Sequence, residues 1–131
     1  MFARGIQEKE IGNLIGKLNT FQDRPIILCG DFNAEEDSVV YNIMKLGGYV
    51  SAFANVHNHE PAVTHRTHRN EDVLADYILY KNVSDTIPQV KATDSFLLPI
   101  EATDEVWLES FDISDHRPLV ASFEIYATNK L

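Results

Sequence analysis

The stretch PIILCGDFNAEEDS, residues 25–38, holds the decision about the fold. A run of apolar residues opens after Pro25 and stops at Gly30, which is the pattern of a short strand. Consecutive apolar positions suit a strand buried on both faces, and they place Cys29 inside as a buried structural thiol. The strand then delivers Asp31 and Asn33 side by side. Gly-Asp-x-Asn turns are common on surfaces, because Asp and Asn side chains bond their own backbone there. The alternative is that the carboxylate and the amide face one substrate.

Outward from this stretch, Ser38 is a candidate N-cap for a helix carrying Val40, Ile43 and Met44 inward, with Gly47 as its C′ stop. Upstream, residues 4–20 read as a helix with Ile11, Leu14, Ile15 and Leu18 on one face, weakened by Gly12 and Gly16. Downstream the period changes. Residues 49–55, 62–67, 73–81, 89–97 and 118–126 are expected as strands, with a hairpin around the HRNED stretch at 68–72. In the last of these, Leu119, Ala121, Phe123 and Ile125 alternate against Val120, Ser122, Glu124 and Tyr126. Residues 98–117 read as a long loop, a kind of segment that is functional or disordered more often than not. Helix, strand, helix and then a meander of strands predict an α/β or α+β layered domain, with sheet packed against two helices. No repeat, low-complexity tract or linker divides residues 1–131, so one domain is expected.

The 131 residues hold 44% hydrophobic and 24% charged side chains, ordinary values for a globular chain, and a net charge of −9. That charge argues against a broad surface tracking a nucleic-acid backbone. Clustered carboxylates are nevertheless what a hard divalent cation needs, and a bound cation inverts the local field. A single cysteine cannot close an internal disulfide and points to a reducing compartment, cytoplasm or nucleus. No apolar run is long enough to span a bilayer, and MFARGIQEKE lacks the apolar stretch of a signal peptide.

Three segments carry candidate chemistry: Asp31 and Asn33 in GDFN, Asp76 in LADYILY, and Asp115 with His116 in ISDHRPL. Asp is depleted in strands, and its burial requires a partner. Asp76, set among apolar residues, is therefore expected to pair with a cation or a histidine, and His116 is the candidate.

In order and spacing, CGDFN, DYILY about 45 residues on, and SDHRPL before the terminal strand resemble the C-terminal half of the endonuclease/exonuclease/phosphatase superfamily. The resemblance covers roughly residues 4–127. It implies one half of a four-layer α/β sandwich of the deoxyribonuclease I-like type, with a largely antiparallel mixed sheet. It implies metal-dependent phosphodiester hydrolysis with Mg²⁺ or Mn²⁺. Asp31 would orient the attacking water or contact the metal, and Asn33 would hold a non-bridging phosphate oxygen. Asp76 would fix the tautomer and orientation of His116, His116 would donate to or polarise the scissile phosphate, and Asp115 would help bind the metal or position the nucleophile. Such chemistry needs charge neutralisation, an activated water and donors aimed at the phosphoryl oxygens.

The family's N-terminal half carries an early Asn, a metal-binding Glu and a Thr-His strand motif, and no segment here supplies them. Glu8, Glu10 and Asn13 lie in the first expected helix. The chain is thus expected to begin after that half and to be inactive or feeble alone. Asp76-Tyr77 counts against the inositol-phosphate phosphatases, which carry Asp-Arg. It suits the RNA-acting branch (nocturnin-, angel- and deadenylase-like), abasic-site endonucleases and sphingomyelinases, and Thr64-His65-Arg66 looks closest to the angel-like proteins. The expected substrate is RNA or another phosphodiester.

The stretch HNHEPAVTHRTHR, residues 57–69, holds four of the five histidines. His57 and His59 on one strand face, approached by His65 and His68, would make a zinc site; an exposed hairpin is the plainer reading. Arg66 and Arg69 there could donate to substrate phosphate. Trp107, with Leu108, either stacks on a base or anchors its loop. Glu35, Glu36 and Asp37 either recruit a second metal or decorate a helix start. A reading from another class is a non-catalytic interaction module. Half a sandwich would leave a sheet face bare and drive dimerisation through it.

Overall fold

The computed structural model describes residues 2–83, 88–101 and 113–127, with side chains from Gly5 onward. Helix α1 (Phe2–Leu18) leads into strand β1 (Ile26–Asp31), helix α2 (Val39–Leu46), the short strand β2 (Val50–Ser51) and helix α3 (Ala52–His57). Strands β3 (His65–Arg66) and β4 (Asp72–Val73) form a small hairpin. Strand β5 (Asp76–Lys81) follows, then β6 (Gln89–Leu97) and β7 (Leu119–Tyr126).

Strand β5 is the centre. It pairs antiparallel with β1 on one side and β2 on the other, giving the order β1-β5-β2. Because side chains alternate along a strand, Ile26, Leu28, Tyr77 and Leu79 face one way. There they meet Ile11 and Ile15 of α1 and Val40, Tyr41 and Met44 of α2 in the main core. Ile78 and Tyr80 face the other way, onto Val90 and Ala92 of β6, Ala121 and Phe123 of β7, and Ala52 and Val56 of α3. The result is a mixed α/β layered fold of antiparallel pairs, as expected from the pattern. Among the described residues the strands fall into three separate sheets, β1-β5-β2, β3-β4 and β6-β7, where one was anticipated.

Several local expectations are corrected. Among the described residues strand β1 is an edge strand, and the cluster packed around Ile78 and Tyr80 includes none of its side chains. Ile27 is consequently 49% exposed and Cys29 is exposed too, so the run PIILC is buried on one face only. Leu14 likewise lies 38% exposed, leaving Ile11 and Ile15 as the buried stripe of α1.

Residues 52–57 form α3 rather than continuing a strand. The Ser51 side chain accepts the Ala54 N–H and caps the helix, and Asn58 closes it in the left-handed region, the pairing of cap residues that favours a helix over a strand. Among the described residues there are therefore three helices, where two were expected. In α2, Ser38 caps as expected, accepting the Tyr41 N–H at 3.1 Å. The left-handed residue at its end is Gly48 (φ 93°), not Gly47. The Gly48 N–H reaches Lys45 O and the Tyr49 N–H reaches Met44 O, a Schellman closure. Gly47 is needed for a different reason: a Cβ there would lie 2.7 Å from Ile15 Cγ2, where α1 crosses α2.

The hairpin at 65–73 forms as anticipated, with Asn70 at φ 60° in its turn. Strand β6 spans the expected residues, with a bulge between Ala92 and Asp94 that the pattern did not announce. Trp107 and Leu108 lie outside the described residues.

Candidate active site

Asp31 and Asp76 are register partners at the end of the β1–β5 pair, so both carboxylates rise from the same face of the sheet. The Phe32 N–H continues the ladder to Ala75 O. Next, Asn33 turns into the left-handed region (φ 47°), and its N–H donates to Asp31 Oδ1 at 2.9 Å. Short polar side chains tolerate this conformation by bonding locally. The turn thus fixes one Asp31 oxygen and leaves the other, Oδ2, directed toward His116.

His116 arrives from the opposite direction. Its segment is laced to β3: Arg66 N–H donates to Asp115 O at 3.0 Å, Arg117 N–H donates to Thr64 O at 2.7 Å, and His65 and His116 form a β-bridge. Thr64, fully buried, accepts the N–H groups of both Ala75 and Asp76 on its Oγ1. Residues 64–66 therefore hold the ends of β5 and of the His116 segment together.

His116 Nδ1–H donates to Asp76 Oδ2 at 2.8 Å, since a carboxylate can only accept. Its Nε2 then points between Asp31 Oδ2 at 3.7 Å and Asp115 Oδ1 at 3.9 Å. Partial burial pulls the His116 pKa down. The hydrogen bond and charge of Asp76, with the charges of Asp31 and Asp115 behind it, outweigh that and raise it overall. The imidazole is held toward its charged form near neutral pH.

The four groups Asp31, Asp76, Asp115 and His116 are thus brought together. Asn33 is exposed and lines a separate cavity of about 250 Å³ with Gln7, Glu10 and Asp31. The Arg66 guanidinium holds Asp72 across the hairpin through Nε (2.7 Å) and a second nitrogen at 3.3 Å. Arg69 is exposed in the same hairpin.

His57 Nε2–H donates to Ser95 O and His59 Nδ1–H to Glu60 O, at the end of α3 and just beyond it, not on a shared strand. Among the described residues, neither they nor His68 join any group of three close metal-ligating side chains. Glu35 accepts the Leu74 N–H, pinning the loop after Asn33 to the start of β5, a structural task neither sequence reading assigned it.

Two further features were not singled out from sequence. The His65 ring stacks on His116 with centroids 4.1 Å apart and planes 20° from parallel. A cavity of about 460 Å³ opens beside His116, lined chiefly by Leu98, Pro99, Ile113 and Pro118. The clue to His65 lay in its place after Thr64, ahead of DYILY. The cavity had none, because its walls come from the distant ends of β6 and β7.

The carboxylates fit a divalent cation: two exposed acids, Asp31 and Asp115, flank an imidazole, and ligand atoms of Asp31, Asp76 and His116 lie within 4.8 Å of one another. The site is thus an Asp–His pair beside two exposed acids, at the end of the β1–β5 pair. The profile of the endonuclease/exonuclease/phosphatase family matches residues 3–116, and the chain belongs to that family. Members of this family are generally hydrolases, nucleases and phosphatases. An Arabidopsis thaliana protein described as an uncharacterized calcium-binding protein is 33% identical over 75 residues, 53% of this chain. The match spans 16% of that relative's length. Among the described residues, no helix is long and apolar enough to cross a membrane.

Proposed function

We propose that this chain supplies the Asp/Asn/Asp-His part of a divalent-metal-dependent phosphodiesterase acting on RNA, in the manner of an exoribonuclease or deadenylase. The observation that carries the proposal is the Asp76–His116 hydrogen bond at 2.8 Å, with Asp31 and Asp115 facing the other imidazole nitrogen. Asp31 and Asp115 would hold Mg²⁺ or Mn²⁺, which when bound neutralises charge developing on the phosphoryl oxygens. His116, oriented by Asp76, presents Nε2–H to a phosphoryl oxygen in its charged form. Asp31 Oδ2 accepts a hydrogen bond from the attacking water and orients it in line. Asn33 donates its amide to a non-bridging oxygen, and Arg69 adds a cation at the rim of an acidic chain. Arg66 serves the same end while braced by Asp72. The apolar cavity beside His116 has room for a base, which favours a nucleic-acid substrate, and the likeness of Thr64-His65-Arg66 to the angel-like proteins favours RNA. Action in the cytoplasm or nucleus is part of the same proposal.

The test is hydrolysis of end-labelled oligoadenylate at millimolar Mg²⁺ or Mn²⁺. A low rate is expected. That rate should fall by on the order of a hundredfold in His116→Ala and in Asp31→Ala. Rates equal to wild type in both variants would refute the proposal.

A further inference from the structure

The histidine His65 takes no part in the chemistry above, yet its ring lies flat against the group that does. The chain makes one short antiparallel pairing here: Arg66 N–H donates to Asp115 O at 3.0 Å, and Arg117 N–H donates to Thr64 O at 2.7 Å. Between these two bonds His65 and His116 face each other as bridge partners. Opposed residues that do not themselves exchange backbone bonds bring their side chains closest. The two imidazoles consequently stack, with centroids 4.1 Å apart and planes 20° from parallel. His65 Nδ1–H donates to Asp115 O at 3.1 Å, since a carbonyl only accepts. The same carbonyl takes the Arg66 N–H, so the peptide that joins Asp115 to His116 is held twice.

The stack meets a mechanical need. The His116 ring is attached at Cβ and, through Nδ1–H, to Asp76 Oδ2 at 2.8 Å. Two points of attachment leave a rocking motion about the line through them, and that motion swings Nε2. Asp31 Oδ2 at 3.7 Å and Asp115 Oδ1 at 3.9 Å lie beyond hydrogen-bond length from Nε2 and do not stop it. A flat ring against one face does. The His65 side chain is 18% exposed, against 31% for His116, so the supporting ring is the more enclosed of the two. Its own rotation is fixed by the Nδ1–H bond to a main-chain carbonyl.

We propose that His65 is a positioning residue for His116. Its ring face holds the plane of the imidazole and so keeps Nε2–H aimed at the phosphoryl oxygen, and His65 itself makes no bond to substrate. What the position requires is an aromatic face more than a hydrogen-bond donor, because the Asp115 carbonyl keeps the Arg66 N–H in any case. The proposal rests on the phosphodiesterase reading for the task of Nε2, whereas the placement of the ring does not.

The test compares three variants of the full chain. His65→Phe keeps a flat ring without the donor, His65→Asn keeps a donor without the ring, and His65→Ala keeps neither. On end-labelled oligoadenylate with millimolar Mg²⁺, kcat is expected to fall about tenfold or more in the Ala and Asn variants, with KM within about twofold. His65→Phe should recover kcat to within about threefold of wild type. The His116 Nδ1–H resonance should be sharp in wild type and His65→Phe, and broadened or absent in the other two. In the wild type, nuclear Overhauser contacts are expected between carbon-bound protons of the two rings, a measurement that does not depend on any variant folding. Recovery by Asn but not Phe, a change confined to KM, a sharp His116 Nδ1–H in a folded His65→Ala, or no ring-to-ring contact in the wild type would each overturn the proposal. Equal hydrolysis by wild type and His116→Ala would instead refute the phosphodiesterase reading, and the ring resonances would still decide whether His65 places His116.

Discussion

The Asp76 carboxylate accepts the Nδ1–H of His116 at 2.8 Å, across 40 residues of sequence. Asp76→Asn keeps the shape and removes the charge. The amide can present either end to the ring, so the tautomer is no longer imposed. The expected consequences are a fall of about a hundredfold or more in any phosphodiester hydrolysis and a His116 pKa moved back toward the ordinary histidine value. Because the folded pKa is raised, His116 contributes stability that is fully present below the unfolded value and lost as pH rises through the folded one. Asp76→Asn should shrink that pH-dependent part of the unfolding free energy. Imidazole titration by NMR and urea melts between pH 5 and about 8 check both.

Thr64 is the hinge pin of the site. Its Oγ1 accepts two backbone N–H groups, from Ala75 at 3.0 Å and Asp76 at 3.1 Å, with the side chain fully buried. Thr64→Val preserves volume and leaves both donors without an acceptor, which should cost about 2–4 kcal/mol by the usual penalty for buried unsatisfied groups. Thr64→Ser should recover most of it. Denaturant midpoints of the three proteins decide.

Glu60 is 7% exposed, with Tyr41 O–H donating to its Oε1 at 2.9 Å. Burial raises its pKa; hydrogen bonds from Ser51 and Tyr41 oppose this in part, and the charge of Glu36 adds to it. A carboxyl raised in the folded state contributes stability below its unfolded pKa and loses it as pH rises through the folded value. Glu60→Gln keeps an acceptor for Tyr41 and carries no charge. Its stability relative to wild type should therefore improve as pH goes from about 4 to 7. Parallel urea melts across that range measure the difference, and a Glu60→Gln variant that loses stability relative to wild type as pH rises would contradict the assignment.

At the crossing of α1 and α2, a Cβ on Gly47 would stand 2.7 Å from Ile15 Cγ2. Gly47→Ala should destabilise by about 1–3 kcal/mol through overpacking. In an Ile15→Ala background the same substitution should cost much less, since its clash has been removed, and a double-mutant cycle gives the coupling directly.

Cys29 lies on the uncovered face of edge strand β1. The folded protein should react with a thiol reagent at nearly the rate of the unfolded chain, whereas a buried thiol would be protected by a factor of 10³ or more, on the scale set by global stability.

Periodicity was enough to place most elements. Ser38 before Val40, Ile43 and Met44 announced α2 and its start, and the alternation in Leu119–Tyr126 announced the last strand. These signals are local, governed by side-chain period and capping chemistry over one element. The exposure of Cys29 was not legible, because whether a face is covered depends on a layer built from β6 and β7, some sixty and more residues away. The β6 bulge has the same character. Burial switches from Val90 and Ala92 to Ser95 and Leu97 across Thr93, a change of parity that only the pairing with β7 requires.

The site divides along the same line. Composition and order of segments marked Asp31, Asp76, Asp115 and His116 as the residues with chemistry to do, since an acid in an apolar strand needs a partner. Which nitrogen of His116 faces Asp76, and that His65 stacks behind it, were settled by long-range contacts. The β1–β5 register sets Asp31 beside Asp76, and the β3 bridge brings His116 onto them. A sequence records which groups are present and their local period. Distances between groups forty residues apart follow from register and layering, which are properties of the packed whole.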